Sequence, residues 1–254
     1  MEVIKRKVTN NHQDNLLIDT HAHINFSAFR NDGDEVIKRA LENNIWLINV
    51  GSQYSTSQRA IDYALKYKKG VFAAVGLHPI HLKKGKIKEE IDTLETIEFE
   101  TREEKFDYQK YKELASQPKV IAIGETGLDY YHLKSRGETK NYQNLKDLQK
   151  EVFLEHLKLA KELDKPVIIH CRQAHQDVLE ILKSRVSSHK LQGVVHSFSG
   201  NWQQAQEYFS LGFLISFNGL ITYCRDYDKV IKNVPLEKLI LETDCPYLTP
   251  LPFR

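Results

Sequence analysis

No run in this chain approaches the ~18 consecutive apolar residues needed to cross a membrane as a helix. The opening Met1–Asn15 is basic and polar and lacks the apolar segment of a secretory signal, while Glu2 and Asp14 argue against a transit peptide. It reads as a leader, and the expectation is a soluble protein with no membrane partner. Cysteine is scarce and odd in number: Cys171, Cys224 and Cys245 sit inside apparent secondary-structure elements, which argues against a disulfide framework and for a reducing, cytoplasmic setting. An excess of one charge is lacking as well. A formal net charge of +2 exerts no bulk attraction on nucleic acid or anionic membrane, so any polyanion binding rests on local clusters. No Gly-x-Gly-x-x-Gly follows the first apolar run, and no low-complexity tract, composition break or internal repeat divides the chain.

What is present is a rhythm. Of the 254 residues, 41% are hydrophobic and 28% charged, enough apolar material for one sizeable core spanning residues 16–254. Short β-branched runs predict strands at Leu16–Asp19, Ile45–Val50, Val71–Val75, Val120–Ile123, Val167–Ile169, Gly193–Val195, Phe213–Ser216 and Leu239–Glu242. Most are apolar nearly throughout, as burial on both faces requires. Amphipathic segments predict helices at Asp34–Glu42, Ser55–Tyr67, Ile87–Ala115, Lys146–Leu163, Gln173–Ser187, Gln203–Leu211 and Tyr227–Asn233. Eight strands alternating with seven helices point to an α/β protein, a (β/α)8 TIM barrel, more than to an open doubly wound sheet. The connection after the third strand carries Lys83, Lys84, Lys86 and Lys88, readable either as a loop that tracks a phosphate backbone or as a solvated charge run.

In such barrels the site lies where the strands end. His21 and His23, two apart at the end of the first strand, project to one side. Glu125, His170, His196 and Asp244 fall at or just past the ends of the fourth, fifth, sixth and eighth strands. All six converge on one mouth. Four imidazoles and two carboxylates exceed what one tetrahedral ion needs, so the reading is two divalent cations, with a carboxylate such as Glu125 bridging. Taken singly each has a plainer alternative, such as a turn aspartate before Pro246 or a strand-end histidine satisfied within the core.

The segments Ile18-Asp19-Thr20-His21-Ala22-His23, Gly76-Leu77-His78-Pro79, Gly124-Glu125-Thr126-Gly127-Leu128-Asp129-Tyr130, Ile169-His170-Cys171-Arg172, His196-Ser197-Phe198-Ser199-Gly200 and Leu241-Glu242-Thr243-Asp244-Cys245-Pro246 resemble, in order, the motifs of the TatD family of metal-dependent deoxyribonucleases. That resemblance implies an amidohydrolase-type barrel, a one- or two-metal site and hydrolysis of DNA phosphodiesters, often from the 3′ end. It implies that His21, His23 and Asp244 hold one metal, that His170 and His196 hold the other, and that Glu125 bridges. Asp244 is the expected base for the attacking water. His78 and Arg172 are the expected phosphate contacts, Arg172 because its fork matches phosphate oxygens. The donor set does not separate Zn, Mn, Fe, Ni or Mg.

The expected substrate is DNA, single-stranded or at 3′ ends, with RNA as a second class. Alternatives are a metal-dependent ester or amide hydrolase, such as one releasing aminoacyl groups from tRNA, and an inactive metal-binding scaffold. Trp202, Phe198, Tyr130 and Tyr131 are weighed as base-stacking residues against a structural role. A thiol nucleophile at Cys171 is set aside, because no separate His/Asn pair remains to activate it. His12, His81, His132, His156, His175 and His189 are read as solvated.

The sequence departs from the family pattern at Ser197, where Cys is common, at Cys245, where Ala is common, and at Arg254, beyond which family members continue into a final helix. Leu16, Ile18, Leu239 and Leu241 are expected to lie under that helix. The chain is accordingly expected to be a fragment, or to cover the groove with Met1–Asn15 or a second copy of itself.

Overall fold

The computed structural model describes residues 16–90, 96–135, 141–186 and 191–254. In chain order the elements are β1 (Leu17–Ala22), α1 (Gly33–Glu42), β2 (Ile45–Val50), α2 (Tyr54–Lys66), β3 (Val71–Val75), β4 (Gly85–Glu90), β5 (Thr96–Thr101), α3 (Tyr108–Ala115), β6 (Val120–Asp129), α4 (Tyr130–Ser135), α5 (Tyr142–Glu162), β7 (Val167–Arg172), α6 (His175–Val186), β8 (Gly193–Val195), α7 (Trp202–Ser210), β9 (Leu214–Phe217), α8 (Asp228–Asn233) and β10 (Leu239–Leu241). Eight parallel strands form one sheet in the order β1-β2-β3-β6-β7-β8-β9-β10, a nearly closed (β/α)8 barrel with helices between the strands. Among the described residues no helix is long and apolar enough to cross a membrane.

Strand alternation sorts the apolar residues into two layers. Val50, Ala74, Ala122, Ile168 and Val194 fill the barrel, with Ile48, Leu214 and Ile240 against them. A larger cluster, including Leu47, Ile123, Val167, Ile169, Val195 and Ile215, meets the helices. The interior layer is thin because the mouth above it is given over to polar side chains. Two positions beyond Ile168, Val194 and Ile240 stand His170, His196 and Glu242, on the same face of their strands.

Besides a shift where β6 advances from Val120 to Ala122 against Ala73 to Ala74 of β3, two irregularities disturb that count. Between Ile123 and Thr126 three residues of β6 advance against two of β7, Val167 to Ile169. Ala122 faces inward, so strict alternation would turn Glu125 out; the extra residue re-aims it into the mouth. Gly127 then lets β6 pass β7 closely, since a Cβ there would stand 2.0 Å from the His170 carbonyl oxygen. A second irregularity lies between Asp19 and Ala22 of β1, opposite Leu47 and Asn49. Asp19 pairs with the outward Leu47, so the parity of His21 does not extend back to Ile18. The outward pair on this strand is therefore Leu17 and Asp19, where alternation alone expects Leu16 and Ile18. Leu239 packs on the outer cluster as expected, and Leu241 is 58% exposed beside Leu17 at 57%.

No ladder joins β10 to β1 among the described residues. The seam is tied above by side chains and loop backbone: Thr243 donates its N–H and hydroxyl to the Asp19 carboxylate at 3.0 and 2.7 Å, Asp244 N–H donates to His21 O, and His23 N–H donates to Cys245 O.

The expected helix Ile87–Ala115 is corrected: β4 and β5 form an antiparallel hairpin, and only Tyr108–Ala115 is helical. Ile87 pairs with Phe99, while Lys86 faces Glu100 and Lys88 faces Glu98. That is the two-residue period of a strand, with opposite charges in register. Asp107 ends the preceding loop and caps α3 by accepting from the Gln109 and Lys110 N–H groups.

Candidate metal centre

The six strand-end residues do meet. His21 Nε2 lies 3.1 Å from His23 Nε2, 3.5 Å from Glu125 Oε2 and 3.7 Å from Asp244 Oδ1. His23 Nε2 stands 3.8 Å from Glu125 Oε2 and 3.3 Å from Asp244 Oδ1. The other Glu125 oxygen, Oε1, is 2.9 Å from His170 Nδ1 and 2.6 Å from His196 Nε2, and those two nitrogens are 3.4 Å apart. All but Asp244, His170 and the rim are buried, and the His21 ring stacks on His196 at 4.0 Å between centroids.

The donor chemistry fits cations. Ligands at ~2.0–2.2 Å from an ion lie about 3.0–3.5 Å from one another at ordinary bond angles, close to the separations seen. The protonation pattern is more telling. The carbonyl of Val50 takes the Nδ1–H of His23 at 2.8 Å, leaving Nε2 as a lone pair facing Asp244. Asp129 Oδ2 takes the Nε2–H of His170 at 3.0 Å, leaving Nδ1 as a lone pair facing Glu125. Acceptor thus faces acceptor, and a cation or an added proton must stand between them.

The titration directions state the same demand. Burial opposes charge on His196, yet the Glu125 carboxylate holds its pKa well above the ordinary value. His170 and His23 are likewise raised against burial, by Asp129 and Asp244 respectively. Burial works against an ionised Glu125, but His78, His196 and His170 hold its carboxyl well below the usual range. Asp244 is lowered too, His23 and His21 outweighing burial. Where carboxylates are compensated, lone-pair histidines become protonated in place of an ion.

His78 differs from the rest. Its Nδ1 accepts the Ile80 N–H at 3.1 Å, so Nε2 carries the proton and points at Glu125 Oε1, 3.3 Å away. Burial pushes its pKa down to about 4, leaving a neutral donor aimed into the mouth. Arg172 ends β7 on the inward face, its guanidinium 4.1 Å over the Tyr131 ring. Both residues line the cleft above the centre, about 610 Å³ in volume.

Two supporting residues escaped the sequence reading. Asp129 Oδ2 also accepts from His132 Nδ1 at 2.6 Å, so it grips His170 while being gripped itself. Glu242, 7% exposed, accepts from Ser197 N–H and the Ser216 hydroxyl and stands 3.7 Å from His196 Nδ1. Each had a positional signal: Asp129 closes the strand that carries Glu125, and Glu242 precedes Asp244 by two.

Four histidines expected to be solvated are buried. His132 serves Asp129; His81 stands in the single turn after His78, 6.4 Å from it ring to ring. His156 on α5 takes the Leu77 N–H at 3.0 Å and donates to Val152 O. His175 lies 3.2 Å from Cys171 Sγ. His12 and His189 lie outside the described residues. Burial pushes the Cys171 thiol up to about 12, far from a nucleophile at neutral pH. Of the aromatics weighed for stacking, Phe198 and Tyr130 are core residues and Trp202 packs against the core; Tyr131 alone of the four lines the cleft.

The TatD-related DNase profile matches residues 18–254. The chain belongs to the TatD family of metal-dependent hydrolases. Among its relatives, YabD of Bacillus subtilis, an uncharacterized metal-dependent hydrolase, is 38% identical over 242 residues, 94% of this chain and 84% of the relative. YcfH of Escherichia coli K12, also an uncharacterized metal-dependent hydrolase, is 30% identical over 244 residues, covering 94% and 80%. The crystal structure of the TatD homolog YJJV from E. coli superposes with a TM-score of 0.72 at 31% identity, covering 92% of this chain and 81% of that one.

Proposed function

We propose that this TatD hydrolase cleaves phosphodiester bonds of nucleic acid, DNA first and in the 3′-to-5′ sense, with two divalent cations held across Glu125. One observation carries the reading: the two Glu125 oxygens serve different donor groups, Oε2 facing His21 and His23 and Oε1 facing His170 and His196. Bound cations supply the acidity that makes water a nucleophile near neutral pH, and charge to offset that of the phosphate in the transition state. The chain's own residues do the remaining work. Asp244, on the rim with a side chain 14% exposed, orients the attacking water and accepts its proton. His78 donates Nε2–H to a phosphate oxygen, and the Arg172 fork, 4.1 Å over the Tyr131 ring, takes a second. Free cysteines and the lack of disulfides among the described residues suit a cytosolic setting.

The test is incubation with 3′- and 5′-labelled single-stranded DNA, with RNA and with an acylated tRNA, each with divalent cation and with chelator. Cation-dependent shortening from the 3′ end supports the proposal. Deacylation without strand cleavage would replace it with an ester hydrolase, and cation binding without any turnover would replace it with a scaffold.

A further inference from the structure

The proposed cleavage uses one phosphate, but the cleft that holds the centre is larger than one phosphate needs, and its lining is chemically selective. The sequence contains ten arginines and 26 lysines. Four of the arginines line the cleft, Arg30, Arg59, Arg102 and Arg172, and no lysine among the described residues does. Arg172 sits beside the centre. The other three come from different elements and line the same cleft. Arg30 follows the single turn Ser27–Phe29 after β1. Arg59, on α2, donates Nε–H to Asn25 O at 2.8 Å, which fixes its guanidinium beside that turn. Arg102, just past β5, is anchored through its carbonyl, which accepts from Gln53 Nε2 at 3.0 Å.

None of the three guanidinium groups meets a carboxylate within 4 Å among the described residues. The exposed acidic side chain on this wall, Glu100, faces Lys86 across the hairpin at 3.8 Å. The α2 N-terminus is already occupied, since the Glu104 carboxylate accepts from Tyr54 N–H. Three planar forks that line one cleft and have no carboxylate partner suit a ligand bearing several anionic oxygens in a row.

We propose that Arg30, Arg59 and Arg102 form a backbone-binding wall that takes the phosphates of a single DNA strand beyond the one being cleaved. The wall makes the protein a strand enzyme rather than a general phosphodiesterase, and it rests on the nucleic-acid reading above. The four lysines at positions 83–88 lie outside this lining, so the salt dependence of strand binding belongs to the arginines.

The experiment measures anisotropy of a labelled strand of about 12 nucleotides with chelator present, between about 50 and 200 mM salt. Arg30→Gln/Arg102→Gln removes two exposed, unpartnered side chains, so folding is preserved, and a melting curve checks it. The expected result is a log-log salt slope flatter by about 1.4, at roughly 0.7 per single-strand contact, with binding about tenfold weaker at low salt. Lys86→Gln/Lys88→Gln is expected to keep the wild-type slope. With cation restored, kcat/KM for the strand relative to bis(para-nitrophenyl) phosphate is expected to fall about tenfold in the arginine variant. An arginine variant with wild-type melting and wild-type slope overturns the wall, as does wild-type protein that binds no strand. Protein that binds the strand with the arginine-dependent slope but cleaves neither substrate keeps the wall and overturns the hydrolase reading.

Discussion

The two halves of the donor set are built to different plans. On the Oε2 side of Glu125, His21, His23 and Asp244 surround one position with three further donors drawn from the first and last strands. On the Oε1 side, His170 and His196 from neighbouring strands leave the position with fewer donors. In cation sites generally, closed donor sets anchor and open ones react. Under the two-cation proposal, the difference suits anchoring of a cation on the seam side and contact with the substrate phosphate on the other. Support differs in kind as well: a main-chain carbonyl fixes His23, whereas a side-chain relay, Asp129 with His132, fixes His170.

The comparison breaks most completely at Glu125. Glu125→Ala should abolish both halves together, with turnover lower by about 10³-fold or more and bound cation, read by elemental analysis, lost from both positions. Retention of two cations would show that the bridge is not needed.

A buried histidine outside both halves sharpens the contrast. His156 hydrogen-bonds only main chain and packs against the Phe106 ring, and burial takes its pKa down to about 4. Between pH 6.5 and 4 the unfolded chain binds this proton and the folded chain does not. Its contribution is therefore full above about 6.5 and lost as pH falls toward 4, by about 3 kcal/mol at ~1.4 kcal/mol per unit. Urea midpoints of wild type and His156→Phe, taken at both ends of that window, should differ in pH dependence by this amount. Parallel curves would place the titration elsewhere.

Asp129→Asn weakens the His170 relay alone. Cation affinity of the Oε1 side should fall about 10–100-fold in a two-site calorimetric titration while the tighter step keeps its affinity. Equal weakening of both steps would erase the distinction. The smallest effect is expected at the seam itself, where Thr243→Val removes the 2.7 Å hydroxyl bond to Asp19 and should cost about 1 kcal/mol in urea unfolding.

The barrel and its mouth were legible because the code involved is short. An apolar run ending in His, Glu or Asp places that residue at a strand end, and five such endings carrying six such residues point to one barrel mouth. What stayed hidden was parity. Neither irregularity, before Ala22 or at Glu125, has a sequence mark, so the outward residues of β1 were assigned one position out. The hairpin was hidden by its lysines and glutamates, whose charge pattern suits a helix until Ile87 and Phe99 are recognised as partners. The buried histidines were missed because histidine is amphipathic: its neighbours decide whether it is solvated, and those neighbours are 79 residues away for His156 and Leu77.

The seam between β1 and β10 also links folding to occupancy. Strands that elsewhere pair through backbone ladders here meet through a few bonds between residues more than 220 positions apart. His21 and His23 stand on one side of that joint and Asp244 on the other, so a cation shared among them would clasp the two ends of the barrel. Its binding energy would add to stability as RT ln(1 + [L]/Kd), and chelation would withdraw that contribution at the joint.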